Sequence, residues 1–238
     1  MNKQTVAVLG SNGFVGENII SALNETNQYN ILPITRNNNI DDFSHADIII
    51  HSANPAKRFK AENNPETDFI ETVEKTYNFF VGNKNKRFIL ISSMSARTQL
   101  YTNYGRNRRA CELLIQQGNS LVIRLGPMFG GNRKEDMLHD ILAGRNVYVA
   151  EDTQYSYVDV KWTGQQIIKY MDTDGPTGII EIGASNSIRL GDIKNKFNSN
   201  TEFLGKQENQ ITENFNNGPD ATDVYVYAEK EFNLMQRK

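Results

Sequence analysis

The 238-residue chain carries 26 Lys and Arg against 28 Asp and Glu, a formal net charge of −2 that speaks against nucleic acid or an anionic membrane as partner. Its single cysteine, Cys111, excludes an internal disulfide framework and suits a reducing compartment. The opening MNKQTVAVLG lacks the charged start, apolar core and cleavage site of a signal peptide, and no apolar run approaches the roughly 20 residues that span a bilayer, so a cytoplasmic protein is expected.

In chain order, TVAVLG (5–10) predicts a buried strand, because the apolar run is short and ends in glycine. Residues 14–23 follow as a helix with Val15, Ile19, Ala22 and Leu23 on one face. YNILPIT (29–35) and DIIIHSA (47–53) predict the next two strands. From Pro65 onward Phe69, Ile70, Val73, Tyr77, Phe80 and Val81 recur at helical spacing. RFILISS (87–93) predicts a strand, and residues 103–117 a helix carrying Cys111, Leu114 and Ile115. LVIRLG (121–126) and TGIIEIG (177–183) complete the strands. Strands alternating with helices require right-handed crossovers and a parallel sheet covered on both faces, which is a doubly wound α/β architecture. The stretch from Asn195 to Asp223, rich in Asn, Gln, Gly and Glu, is expected as a mobile loop or the lightly packed edge of a lobe.

Between the first strand and the first helix lies GSNGFVG. So tight a turn needs unusual backbone dihedrals, and a pyrophosphate approaching backbone N–H groups leaves no room for Cβ. The helix N-terminus adds unpaired donors and a partial positive charge. Gly10, Ser11, Asn12, Gly13, Phe14, Val15 and Gly16 are therefore expected to bind a dinucleotide. The second strand ends in Thr35-Arg36-Asn37, where an acidic residue would hold the ribose 2′-hydroxyl of NAD. An arginine suits a 2′-phosphate instead, so Arg36 points to NADP(H), with NAD(H) as the alternative.

These segments, with DIIIHSAN (47–54), NNPETDFIETVEKTYNFF (63–80), RFILISSMSA (87–96), RLGPMFG (124–130) and YSYVDVKWTGQQI (155–167), resemble in their order the extended or atypical short-chain dehydrogenase/reductases of the NAD(P)-dependent epimerase/dehydratase family. The resemblance covers roughly residues 5–190. It implies a Rossmann-type sheet in a single domain, residues 1–238, with a small C-terminal substrate lobe formed mainly by residues 127–150 and 184–238. It also implies that Ser52, Ala53, Pro127 and Met128 border the cofactor.

In this family a tyrosine exchanges a proton with substrate, a lysine four residues later tunes it and holds the nicotinamide ribose, and a serine orients the reacting oxygen. Tyr104 matches the tyrosine, Ser93 the serine, and Arg108 stands in the lysine's place. Positions i and i+4 share a helix face, so the arginine's charge favours a phenolate below the ordinary pKa of about 10. Its planar fork is nevertheless no copy of an ammonium group. Arg106 and Arg109 point elsewhere on the helix.

The resemblance implies an oxidoreductase or epimerase moving hydride to or from a sugar-like alcohol or ketone. A nucleotide sugar is the first expectation. A smaller carbonyl or hydroxyl compound is the rival, because EDTQYSYVDV lacks the arginine that many nucleotide-sugar enzymes of the family place before the Val-Asp segment. The departure at Arg108 keeps a second class open, a dinucleotide-binding regulatory protein without turnover. Helices 65–81 and 103–117 match the pair used for a homodimer. His51 is expected to bond backbone, and Asp159 to cap a helix. His45 and His139 show no spacing that makes a metal site. Arg133 and Lys134 are expected either to meet substrate phosphates or to be solvated.

Overall fold

Five strands pair side by side and parallel in the computed structural model, which describes residues 3–38, 40–133 and 135–237. Lys134 lies outside the described residues. The chain opens with β1 (Thr5–Leu9), α1 (Phe14–Thr26), β2 (Asn30–Ile34) and β3 (Ile48–His51). A helical stretch follows, α2 (Arg58–Asn63), α3 (Pro65–Phe69) and α4 (Lys75–Val81), and then β4 (Arg87–Ser93), α5 (Ser95–Thr98), α6 (Asn103–Ile115) and β5 (Ser120–Leu125). Next come β6 (Met128–Phe129), α7 (Met137–Leu142), β7 (Val147–Val149), β8 (Gln154–Tyr155), β9 (Val158–Asp159), α8 (Val160–Lys169) and β10 (Gly178–Ile182). The chain closes with β11 (Ile188–Arg189), α9 (Leu190–Lys196), β12 (Phe203–Lys206) and α10 (Asp223–Met235). The large sheet has the order β10-β5-β4-β3-β1-β2, the doubly wound α/β arrangement expected.

Two compact units emerge, residues 1–125 with 161–180, and residues 126–160 with 181–238. In the first, successive strand residues point to opposite faces, so both faces of a central strand must be apolar. Ala7, Leu9, Ile49, Phe88, Leu90 and Val122 pack with Val73, Phe80, Cys111 and Ile115 from the helices after β3 and β4. Their neighbours Val6, Val8, Ile50, Ile89, Ile91 and Ile123 are also buried. Close packing of α1 with α8 is visible at Gly164, where a Cβ would stand 2.5 Å from the Asn18 carbonyl oxygen. One fully buried guanidinium is held by backbone and amide oxygens: Arg87 donates to the carbonyls of Tyr170 (2.7 Å) and Pro176 (2.8 Å) and to Asn119 Oδ1 (2.9 Å). Between α3 and α4 the helix widens into a π turn over Ile70–Glu74, a feature that recurs near functional sites.

In the second unit β7 pairs parallel with β12, β6 parallel with β9, and β8 antiparallel with β11. Phe129, Leu138, Ile141, Val149, Tyr155, Leu190, Ile193, Val224 and Ala228 belong to its core. The Asn-rich stretch is a paired edge here: it supplies β12, Thr201 Oγ1 donates to the Ile141 carbonyl at 3.0 Å, and Gln210 bridges Tyr155. A carboxylate does stand beside His139. Asp136 caps α7 by accepting the His139 backbone N–H at 2.9 Å, and its Oδ1 lies 2.7 Å from His139 Nδ1. Arg133 Nε is 3.9 Å from Asp136 Oδ2.

Candidate functional site

Strand order reverses between β1 and β3, and in open α/β sheets the crevice beyond the carboxyl ends of the strands at such a point is where ligands bind. The first unit has a cavity of about 1370 Å³ there. Gly10, Asn12 and Gly13 line it from the turn after β1, Thr35 and Arg36 from the end of β2, and Ser52, Ala53, Asn54 and Pro55 from the end of β3. Phe59, Lys60, Thr67, Asp68 and Lys75 complete the far wall.

The glycine turn is held by its own backbone. Gly10 has φ +80°, its N–H donates to the Ile34 carbonyl at 2.9 Å, and a Cβ there would come within 2.7 Å of Ala53 Cα. A Cβ on Gly16 would lie 2.1 Å from the Gly10 carbonyl oxygen, so α1 approaches the turn only because that position is bare. Gly13 is the N-cap of α1 and, being glycine, brings no side-chain cap of its own. Ser11 turns inward, and its hydroxyl donates to the Ile34 carbonyl at 3.2 Å. Phe14, Val15 and Gly16 are the first residues of α1 and stand apart from the cavity lining. Pro127 and Met128 belong to the second unit, where Met128 opens β6.

Arg36 lines the cavity with Glu71 and Lys75, which pair at 2.5 Å. The hydrogen bond from Lys75, and to a lesser degree the charge of Arg36, hold the Glu71 carboxyl below its usual range. His51, fully buried at the end of β3, accepts the Ala53 N–H on Nδ1 at 3.3 Å, so its Nε2–H faces Thr76 Oγ1 at 2.9 Å. Burial first, then the charges of Lys75 and Arg108, push its pKa down to about 3. The ring is a neutral girder of the wall, bonded to backbone as expected and to Thr76 besides.

Ser93, Tyr104 and Arg108 form a cluster of their own that meets the cavity wall at Pro55. Tyr104 is 8% exposed and Arg108 4%. The Arg108 guanidinium carbon lies 4.9 Å from the centroid of the Tyr104 ring, and Arg108 Nη2 donates to the Pro55 carbonyl. The Ser93 hydroxyl accepts the Ser95 N–H at 3.2 Å, which leaves its proton for the phenol oxygen of Tyr104. Burial pulls the phenol's pKa up, but the charges of Arg108 and Arg58 and the hydrogen bonds from Ser93 and Arg108 outweigh it, and the pKa falls below the ordinary tyrosine value. Arg106 is occupied elsewhere, donating to Asn103 Oδ1 at 2.5 Å and to the Tyr101 carbonyl at 3.1 Å.

Two buried donors here have no acceptor among the described residues, Arg108 Nε and Asn54 Nδ2. Leaving such groups unanswered costs on the order of 1–3 kcal/mol each. Asn54 lines the cavity, where its Nδ2 fits a ligand rich in acceptor oxygens, as ribose and phosphate groups are.

Sequence reasoning missed α2 and the carboxylate behind Tyr104. Glu112, fully buried, accepts from Arg124 Nε (2.9 Å) and Nη2 (2.7 Å), from Arg109 Nη1 (3.0 Å) and from the Ser92 hydroxyl (2.7 Å). A signal was present, because Tyr104, Arg108 and Glu112 repeat at intervals of four along one face of α6. No comparable signal marks α2.

No family model matches the chain, and no curated protein matches it. Solved structures do resemble it. A dTDP-4-dehydrorhamnose reductase from Bacillus anthracis str. Ames, in complex with NADP, superposes with a TM-score of 0.78 at 17% identity, over 97% of this chain and 100% of that one. The UDP-N-acetylglucosamine 4-epimerase from Methanobrevibacter ruminantium M1, in complex with UDP-N-acetylmuramic acid, gives 0.76 at 15% identity over 100% of both chains. The dTDP-4-dehydrorhamnose reductase from Yersinia enterocolitica gives 0.75 at 19% identity, over 95% of this chain and 99% of that one. At such identities the likeness establishes a shared Rossmann-type α/β fold, and function has to be argued from the site.

Proposed function

We propose that the chain is an NAD(P)(H)-dependent reductase or epimerase of the extended short-chain dehydrogenase/reductase family, acting on a sugar-like alcohol or ketone, with a nucleotide sugar as the leading substrate class. The carrying observation is the buried phenol of Tyr104, set between the Ser93 hydroxyl and the Arg108 guanidinium with its pKa lowered. That is the equipment of a proton-transfer group. The fold shared with the NADP-bound reductase and the UDP-sugar-bound epimerase supports the same reading.

In this reading Gly10, Asn12, Gly13 and the N-terminus of α1 hold the pyrophosphate, and Ser52 and Ala53 form the wall beside it. Arg36 takes the 2′-phosphate, which makes NADP(H) the preferred form. The orphaned donor of Asn54 answers an oxygen acceptor of the bound nucleotide. The nicotinamide supplies the hydride chemistry when bound. Ser93 orients the reacting oxygen, Tyr104 gives that oxygen a proton during reduction or takes one during oxidation, and Arg108 stabilises the phenolate left behind.

Helices 65–81 and 103–115 leave Phe69, Ile70, Tyr77, Val81 and Leu113 exposed. We assign this apolar surface to a homodimer contact, and light scattering at micromolar protein should give twice the 27.0 kDa chain mass.

The lysine-to-arginine departure favours one rival, a regulatory protein that binds NADP(H) without turnover. Titration with NADPH, followed by incubation with a panel of dTDP- and UDP-linked 4-keto sugars, separates the two. Binding with oxidation of NADPH by at least one substrate is the expected result. Binding without turnover on any of them favours the regulator, and a chain that takes up neither NADPH nor NADH overturns both readings.

A further inference from the structure

Between β3 and α3 the chain forms the six-residue helix α2, whose Ala61 is fully buried and whose Glu62 reaches the start of α6. Glu62 Oε1 accepts the backbone N–H of Asn103 at 2.7 Å and that of Tyr104 at 3.5 Å, while Oε2 accepts Asn103 Nδ2 at 3.1 Å. The local cap of α6 does a different job, since Thr102 Oγ1 accepts the Gly105 N–H at 2.9 Å. A carboxylate 41 residues away in sequence therefore meets the N–H groups that the local cap leaves over, with its negative charge at the positive end of the helix. One turn before Glu62, on the same face of α2, stands Arg58.

The groups that bear on the Tyr104 phenol come from three elements: Arg108 from α6 itself, Arg58 from α2 and Ser93 from β4. Arg108 is fixed by the helix that carries Tyr104. Arg58 stands on α2, and the Glu62 bonds tie that helix to the first turn of α6. We propose that Glu62 is a positioning residue, a latch that fastens α2 to the first turn of α6 and so sets Arg58 against Tyr104. Its functional weight rests on the reading of Tyr104 as the proton-transfer group, whereas the latch itself can be measured without turnover.

The test is a pH titration of the Tyr104 phenol in the full chain, followed by NMR of ring-labelled tyrosine, with the resonance assigned through Tyr104→Phe. Arg58→Ala is expected to raise the phenol's pKa. Glu62→Ala should raise it in the same direction, and the double variant should go no higher than Arg58→Ala alone, because both act on the same interaction. Glu62→Gln should stay near the wild type, since its amide oxygen still accepts from Asn103. A Glu62→Ala protein that titrates like the wild type overturns the proposal, and so does a double variant in which the two shifts add in full. If Glu62→Ala does not melt cooperatively, Glu62→Asp is read in the same way: an upward shift supports the latch, and none overturns it. A protein without turnover leaves these titrations readable, so failure of the proposed activity and failure of the latch are separate outcomes.

Discussion

Arg108 stacks its guanidinium carbon 4.9 Å from the ring centroid of Tyr104, one turn along the same helix, and anchors its far end on the Pro55 carbonyl. The guanidinium sets a positive charge beside the phenol. Removing that charge in Arg108→Met raises the phenol's pKa. Alcohol oxidation needs the phenolate and so rises with pH through that value; its rising limb should move to higher pH in Arg108→Met. Tyr104→Phe should lower kcat by about 10²–10⁴-fold, the usual worth of a general acid or base, and leave NADPH affinity intact. A Tyr104→Phe protein with full turnover removes the phenol from the chemistry.

Arg36 lines the cavity beyond β2 and is the reason to prefer NADP(H). A charge-assisted bond to a 2′-phosphate is worth about 1.5–3 kcal/mol, so Arg36→Ala should weaken NADPH binding by roughly 10- to 100-fold. NADH lacks that phosphate, and its affinity should change little. Fluorescence titrations with both cofactors give the answer, and equal losses for the two would refute the assignment.

His51 makes folding sensitive to acid. Its folded pKa is pushed down to about 3, whereas the unfolded chain takes up the proton near the ordinary 6.5. The unfolded state therefore binds more protons between those values, so the stabilising share of the neutral ring is complete above pH 6.5 and declines as pH falls toward 3. The slope from this residue is about 1.4 kcal/mol per pH unit. Urea melts of His51→Gln between pH 7 and 4.5 should show a dependence shallower by about that slope; a parallel curve would exclude the effect.

Glu112 answers Arg124, Arg109 and Ser92 in a buried site. Glu112→Leu removes the carboxylate that Arg124 donates to twice and should cost about 3–5 kcal/mol. Replacing both, Glu112→Leu with Arg124→Leu, should recover much of the loss, because the buried guanidinium leaves with the carboxylate and the Arg109 pairing that is also lost involves a side chain 35% exposed. Chemical denaturation of the two single variants and the double variant checks this as a cycle, and additive losses would contradict it.

Several of these relationships could be read along the chain because they are local. The short apolar runs marked β1, β3, β4 and β5 to within a residue or two, since a strand buried on both faces is apolar along most of its length. The four-residue interval put Tyr104 and Arg108 on one helix face for the same kind of reason, a period set by backbone geometry alone. The glycines of GSNGFVG marked the turn, because a Cβ at Gly10 or Gly16 would collide with backbone.

What escaped depended on contacts between distant segments. Ser11 sits inside the glycine motif, yet only the pairing of β1 with β2 brings the Ile34 carbonyl to its hydroxyl. Nothing along the chain singled out Arg58 or Glu62, and the charge near Tyr104 emerges when α2 folds back onto α6 across 41 residues of chain. Backbone periodicity is dictated by the covalent chain itself, so sequence alone determined the sheet, the turn and the face on which Tyr104 lies. The partners gathered at its phenol were decided by tertiary packing, because a carboxylate or guanidinium carries no mark of which distant donor or ring it will meet.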